Sequence, residues 1–133
     1  MSDVVLYEEI DGVALVTLNR PERLNSWTGE LGSAYFDALD RASGSAGVKS
    51  IVVTGAGRGF CSGADMDMLQ GIGASGGEEE SAPRLRNERH DYALSIPKPV
   101  VAAINGACAG LGFVHAMMCD SRFAAEGAKF TSA

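Results

Sequence analysis

Positive charge is scarce in this 133-residue chain. Its 11 Lys and Arg stand against 17 Asp and Glu, a formal net charge of −6, which excludes a generally basic nucleic-acid binder. Cysteine is scarce too: Cys61, Cys108 and Cys119 are an odd number with no C-x-x-C spacing. No basic-then-apolar leader precedes Asp3, Glu8 and Glu9, so a reduced, cytoplasmic setting is expected. The common phosphate and nucleophile motifs are missing. For G-x-G-x-x-G, Gly57 and Gly59 need a glycine where Ser62 stands, and Gly110 and Gly112 need one where His115 stands. With no G-x-x-x-x-G-K-[ST], H-E-x-x-H or G-x-S-x-G either, dinucleotide binding, ATP hydrolysis, zinc proteolysis and α/β-hydrolase chemistry lose their support. Charge is absent from Pro99 to Cys119, a run long enough to span a bilayer and holding a small-xxx-small pair at Gly106 and Gly110. The turn signal Asn105-Gly106 and the polar His115 break that run, which divides naturally into a buried strand and a helix, so no membrane span is expected.

What is present is a globular composition, 46% hydrophobic and 21% charged, in a chain expected to form one domain or a large part of one and to bury roughly two thirds of its unfolded surface. Glycine stands out at 17 residues, well above the usual share of about 7%, and implies many close backbone approaches. Val4 to Ile10 and Val13 to Asn19 are β-rich runs joined by Asp11-Gly12, the dipeptide of a type I′ hairpin. Leu31, Ala34, Tyr35, Ala38, Leu39 and Ala42 recur at helical spacing, with Glu30 suited to the helix start and Gly44 and Gly47 to its end. Ser50 to Thr54 and Val100 to Ile104 read as parallel strands buried on both faces, the first closing a βαβ crossover. Between them lie a glycine-rich loop from Gly55 to Gly63, a short helix carrying Met66, Met68 and Leu69, a mobile loop from Gly71 to Ala82, and a helix from near Pro83 to about Ser95. Asn105 to Gly110 reads as an exit loop, Gly112 to Cys119 as a buried helix, and Phe123 to Ala125 and Ala128 to Phe130 as short strands.

Chemistry is expected outside the carboxyl ends of the parallel strands. Two such corners exist, Val53 through Gly63 to Asp65 and Ile104 through Gly112. If the two strands are neighbours, backbone N–H groups near Ala64 and Leu111 converge on one oxygen atom and form an oxyanion hole. Asp65-Met66-Asp67 is better explained as favourable charge at a helix start than as a metal site, and Cys61-Ser62 as small residues in a crowded loop than as a nucleophile.

The segment Gly57-Arg58-Gly59-Phe60-Cys61-Ser62-Gly63-Ala64-Asp65, then Lys98 to Gly106, then Ala116-Met117-Met118-Cys119-Asp120, resembles the enoyl-CoA hydratase/isomerase family, the crotonase superfamily, and Arg20-Pro21 followed by Leu24-Asn25 agrees. The likeness runs from about Val13 to Ala133. It implies an α/β fold, a spiral of ββα turns around a parallel-sheet core, of which these residues are the N-terminal portion. It also implies an enzyme, lyase or isomerase, of fatty acid metabolism, whose substrate is an acyl-CoA thioester with coenzyme A as part of the substrate and no other cofactor or metal. The complete protein is expected to form a trimer or a dimer of trimers. By motif position the oxyanion donors are Ala64 and Leu111, the latter where the family more usually has glycine. The CoA portion is expected at Arg23 and Leu24, its adenine near Ser62, Ala64, Asp65 and Met66, with Arg20, Arg23 and Arg58 as candidate cations against surface charges of no special role.

The acid/base groups depart from the family's pattern. Of the two glutamates that hydratases use, the first position holds Val114 and the second falls just past Ala133, while Glu126 reads as a turn charge. His115 adjoins the first position, but one residue along a helix turns a side chain by about 100°, so a buried structural role is expected of it. His90 is a candidate base, since some members draw acid/base groups from that region, against the alternative of an ordinary solvent-facing histidine. Loss of both glutamates also admits a noncatalytic acyl-CoA-binding or assembly module. The family's chains continue well past Ala133, and ending there would leave strand edges and helix faces uncovered, so a fragment or a chain reliant on partners is expected.

Overall fold

The computed structural model describes residues 3–65 and 90–132. The first hairpin pairs β1 (Val5–Ile10) with β2 (Val13–Leu18) in antiparallel register, turning through Asp11 at φ +48° and Gly12 at φ +85°, the two positive values that a type I′ turn requires. Helix α1 (Gly29–Gly44) follows, opened by Thr28, whose Oγ1 accepts the Leu31 N–H at 3.0 Å. Its apolar stripe of Leu31, Tyr35, Ala38, Leu39 and Ala42 is buried as the spacing predicts, joined by Phe36, while Ala34 is only half-buried. At the far end Lys98 Nζ donates to the Ala42 and Ser45 carbonyls at 2.8 and 2.7 Å, placing a cation where the helix leaves acceptors unpaired.

From here the chain alternates between two sheets. Strands β3 (Ser50–Gly55), β5 (Val100–Ile104) and β7 (Ser121–Ala124) join the hairpin in a five-stranded sheet of order β1-β2-β3-β5-β7, parallel throughout except for β1. Strands β4 (Gly59–Cys61), β6 (Ala107–Ala109) and β8 (Phe130–Thr131) form a smaller parallel sheet, and α2 (Leu111–Met117) follows β6. Each turn thus places one strand in each layer. Both β4 and β6 lie inside segments expected to be loops, since runs of three residues among glycines carry no period-2 signal. The described end of the expected 83–95 helix is a 3₁₀ turn, Tyr92–Ser95, and the expected Met66–Leu69 helix and Gly71–Ala82 loop lie outside the described residues.

The central strands bury one face completely (Ala14, Val16 and Leu18; Ile51 and Val53; Val100, Ala102 and Ile104) and the other only in part, whereas full burial of both faces was expected of β3 and β5. Among the described residues no helix is long and apolar enough to cross a membrane; the uncharged run divides into β5, β6 and α2. Asn105-Gly106 is a crossing rather than a tight turn. Asn105 Nδ2 donates to the Gly57 and Gly59 carbonyls at 3.0 and 3.2 Å, its Oδ1 accepts the Gly55 N–H, and a Cβ on Gly106 would lie 1.9 Å from the Arg58 carbonyl oxygen.

Tyr35 is fully buried, and its hydroxyl is the one buried side-chain polar atom without a hydrogen-bond partner among the described residues. Leaving such a group dry costs about 1–3 kcal/mol. Tyr35→Phe is therefore expected to raise stability by about 1 kcal/mol, seen in urea titration as a higher midpoint at unchanged slope; a fall of similar size would show that the hydroxyl is satisfied in solution.

Candidate functional site

The two corners meet where β4 and β6 run side by side. Each leaves its strand through a glycine with positive φ, Gly63 at +112° and Gly110 at +54°, and each of these immediately precedes a residue expected to donate its N–H. A Cβ on Gly63 would stand 3.3 Å from the Ala109 carbonyl oxygen and 3.8 Å from Gly110 Cα, so the backbones ahead of Ala64 and Leu111 touch. Helix α2 is seated as closely: a Cβ on Gly112 would be 2.1 Å from the Cys61 carbonyl oxygen. At Gly112 only glycine allows the approach, and at Gly63 the positive φ favours it.

Trp27 fixes the first corner. Its N–H donates to the Gly63 carbonyl at 2.6 Å and its carbonyl accepts the Asp65 N–H at 2.8 Å, a parallel bridge to Ala64 that turns the Ala64 N–H away from Trp27. That N–H meets no acceptor among the described residues. In the second corner Leu111 is the first residue of α2, ahead of the helix ladder that opens with Val114 N–H to the Gly110 carbonyl at 3.0 Å.

The residues expected against CoA gather beside the first corner. Ser62 N–H donates to the Leu24 carbonyl at 3.1 Å, its hydroxyl lies 3.5 Å from the Arg23 carbonyl, and Leu24 packs over Gly59. Asp65 is 3% exposed rather than presented to solvent. Its carboxylate accepts from Ser26 Oγ at 2.7 Å and Arg20 Nη1 at 3.3 Å, with Arg23 Nη2 at 3.5 Å. Arg20 also donates to the Ser26 carbonyl, so its guanidinium is committed to the fold, whereas Arg23 keeps an exposed side chain and Arg58 lies at the surface. Met66 lies outside the described residues.

Two sequence alternatives are decided by burial. The Cys61 thiol is buried and pushed up to about 11, protonated at neutral pH and so a poor nucleophile. His115 is 4% exposed, and its ring stacks on Trp27 with centroids 4.0 Å apart and planes at 11°. Sequence reasoning placed it as a buried histidine but missed its partner: His90 Nδ1 lies 2.9 Å from His115 Nε2. Val114, the neighbour of His115, projects to the surface.

Burial first, and the neighbouring His90 second, push His115 down to about 3. The unfolded chain takes up this proton near pH 6.5 and the folded one only near 3, so stability is complete above about 6.5 and falls through that window by about 1.4 kcal/mol per pH unit. Urea titrations at pH about 7.5 and about 5 should differ by about 2 kcal/mol from this group, and His115→Phe, which keeps a ring against Trp27, should remove that part. An equal acid loss in the variant would assign it to other groups.

A family model described as enoyl-CoA hydratase/isomerase matches residues 8–133. The chain belongs to this family. It is 36% identical over 135 residues to a protein of Escherichia coli named 1,2-epoxyphenylacetyl-CoA isomerase, covering 100% of this chain and 52% of that one. It is 40% identical to a Mycobacterium tuberculosis protein named probable enoyl-CoA hydratase echA14, covering 96% and 49%. Among solved structures, that of enoyl-CoA hydratase EchA12_1 from Mycobacterium marinum matches with a TM-score of 0.80 at 41% identity, covering 99% of this chain and 56% of that one. The alternation of β3, β5 and β7 with β4, β6 and β8 is therefore part of a crotonase fold, and the chain spans about half the length of the curated relatives it matches.

Proposed function

We propose that the chain carries an acyl-CoA site of the hydratase/isomerase type, in which the Ala64 and Leu111 N–H groups stabilise the charge on a thioester carbonyl oxygen. The contact of Gly63 with Ala109 and Gly110, which sets both donors at one corner, carries this reading. Removing a proton beside the thioester carbonyl, or adding water across an enoyl double bond, leaves an electron pair that delocalises onto that oxygen. Donors fixed in place before the charge appears stabilise it without reorganising, each contributing about 3 kcal/mol to the barrier. Arg23 and Arg58 supply the local positive charge that a polyanionic CoA needs on an acidic protein, with Leu24, Ser62 and the backbone at Asp65 beside it and Met66 proposed as a further contact from the sequence. His90 is the proton carrier of this reading, because its ring is in contact with Trp27, whose backbone holds Ala64. Coenzyme A enters as part of the substrate, and the complete protein is a cytoplasmic homo-oligomer, a trimer or dimer of trimers.

Calorimetric titration tests the reading with a short enoyl-CoA, its S-alkyl thioether lacking the carbonyl, and free CoA. The thioester is expected to bind best and Ala64→Pro, which deletes one donor, to abolish that preference in a sample still folded by circular dichroism. Equal binding of thioester and thioether would reject the oxyanion site. Val114 favours a second reading, a module that binds acyl-CoA without turning it over; release of altered product from an enoyl-CoA rejects it.

A further inference from the structure

We propose that His115 is a positioning residue for His90: its buried ring accepts the His90 Nδ1–H and thereby holds neutral His90 in the tautomer whose Nε2 lone pair is free to take a proton. The inference rests on the reading of His90 as proton carrier. Its geometry is that of a clamped ring. His115 is stacked on Trp27, edge-on to Tyr35 at 5.4 Å and tilted against Phe36 at 5.8 Å, so the direction of Nε2 is set by packing. His90 meets that nitrogen at 2.9 Å and leans on Trp27 and Phe36. Trp27 bridges to Ala64 and His115 lies one helical turn beyond Leu111, so the pair stands between the two oxyanion corners.

Two neutral imidazoles at this distance share one proton, and only one arrangement serves a base. If His115 donated, His90 Nδ1 would accept, its proton would sit on Nε2, and no lone pair would face a substrate. If His115 accepts, His90 Nε2 is bare. A substrate C–H proton then moves to Nε2, the C–H electron pair enters the enolate and its charge settles on the thioester oxygen. The resulting imidazolium keeps its Nδ1–H on His115, and return of the Nε2 proton to carbon restores the starting state. Burial keeps His115 uncharged to about pH 3, so it offers a lone pair in both states of His90. Among the described residues packed against the pair, Tyr35 and Cys119 are held protonated by burial; the Asp40 carboxylate accepts from the Tyr92 hydroxyl, and the exposed Asp91 adjoins His90 in the chain.

Nitrogen-15 spectra of the 133-residue protein, taken about two pH units above the ordinary histidine value of about 6.5, read the tautomer directly. The expected result is His90 protonated at Nδ1 and bare at Nε2, with a coupling across the hydrogen bond to His115 Nε2. H115L should return His90 to the Nε2–H form that a free imidazole favours, H115Q should retain the Nδ1–H form through its side-chain carbonyl, and kcat on an enoyl-CoA should fall about tenfold in H115L at unchanged KM. A wild-type His90 protonated at Nε2, or an unchanged tautomer in folded H115L, overturns the proposal. If H115L does not fold, the wild-type coupling decides alone. The spectra need no ligand, so loss of thioester preference in calorimetry with the expected tautomer present would reject the acyl-CoA reading and leave the pair standing.

Discussion

Gly112→Ala is expected to destabilise the protein by about 3 kcal/mol, the upper end of overpacking costs, and to abolish thioester-specific binding with it. The added methyl group would stand 2.1 Å from the Cys61 carbonyl oxygen and 2.7 Å from its Cβ. The first of these is backbone in β4, flanked by pairing to β6, so no rotamer change relieves the clash. Helix α2 has to lift, and with it the Leu111 N–H that its first residue carries. Gly44→Ala is the matched control: a Cβ there meets nothing within 4 Å, and alanine in a helix is favoured over glycine by about 0.5–1 kcal/mol. Denaturant midpoints should move in opposite directions for the two variants. A Gly112→Ala protein as stable as the parent would show that α2 and β4 are not in contact in solution.

Asp65→Ala carries a comparable cost, about 3 kcal/mol, because it strips the counter-charge from Arg20, a guanidinium whose side chain is only 18% exposed. The carboxylate also holds the Ser26 hydroxyl at 2.7 Å, and Ser26 precedes Trp27, whose backbone clamps Gly63 and Asp65 around Ala64. Binding of the thioester should therefore weaken with stability, while Arg23→Ala, at the exposed end of the network, should change stability by less than about 1 kcal/mol. The Arg20→Met/Asp65→Ala double variant should lose less than the sum of the single losses, since removing both partners leaves no buried charge unpaired. Strict additivity would mean that the two side chains do not interact.

The sequence carried the large sheet and α1 closely, because Asp11-Gly12, the β-rich run of β2 and the helical spacing of Leu31 to Ala42 are local signals. The two corners are local too, each leaving its strand through a glycine of positive φ. Local signals ended where the contact is made by a distant part of the chain. Strands β4 and β6 exist through pairing with each other, and Trp27 bridges to Ala64 without a strand pattern of its own. Asp65 reads in the sequence, with Asp67, as a charge at a helix start; its side-chain partners Arg20 and Ser26 lie in an earlier loop, to which no local signal points. His115 was legible as buried, but its pairing with His90 depends on how the turn at residue 90 packs against α2, which spacing along the chain does not encode.

The alternation of strands between the two layers has a kinetic consequence. The Ala64 and Leu111 N–H groups, proposed as oxyanion donors, are positioned by contacts between separate turns of the spiral, Gly63 with Ala109 and Cys61 with Gly112, and neither turn supplies both partners. Loop closure of this kind is entropically costly and is repaid only when the second turn has docked, so these contacts form late in folding and contribute to a high contact order. A partly folded chain holding the hairpin and α1 has strands, a helix and a hydrophobic face, but no binding corner. On the acyl-CoA reading, occupancy of that corner by a thioester reports the completed chain topology, and amide exchange at the hydrogen-bonded Asp65 and Val114 N–H groups beside the two donors should open together with β4 and β6 rather than with the hairpin.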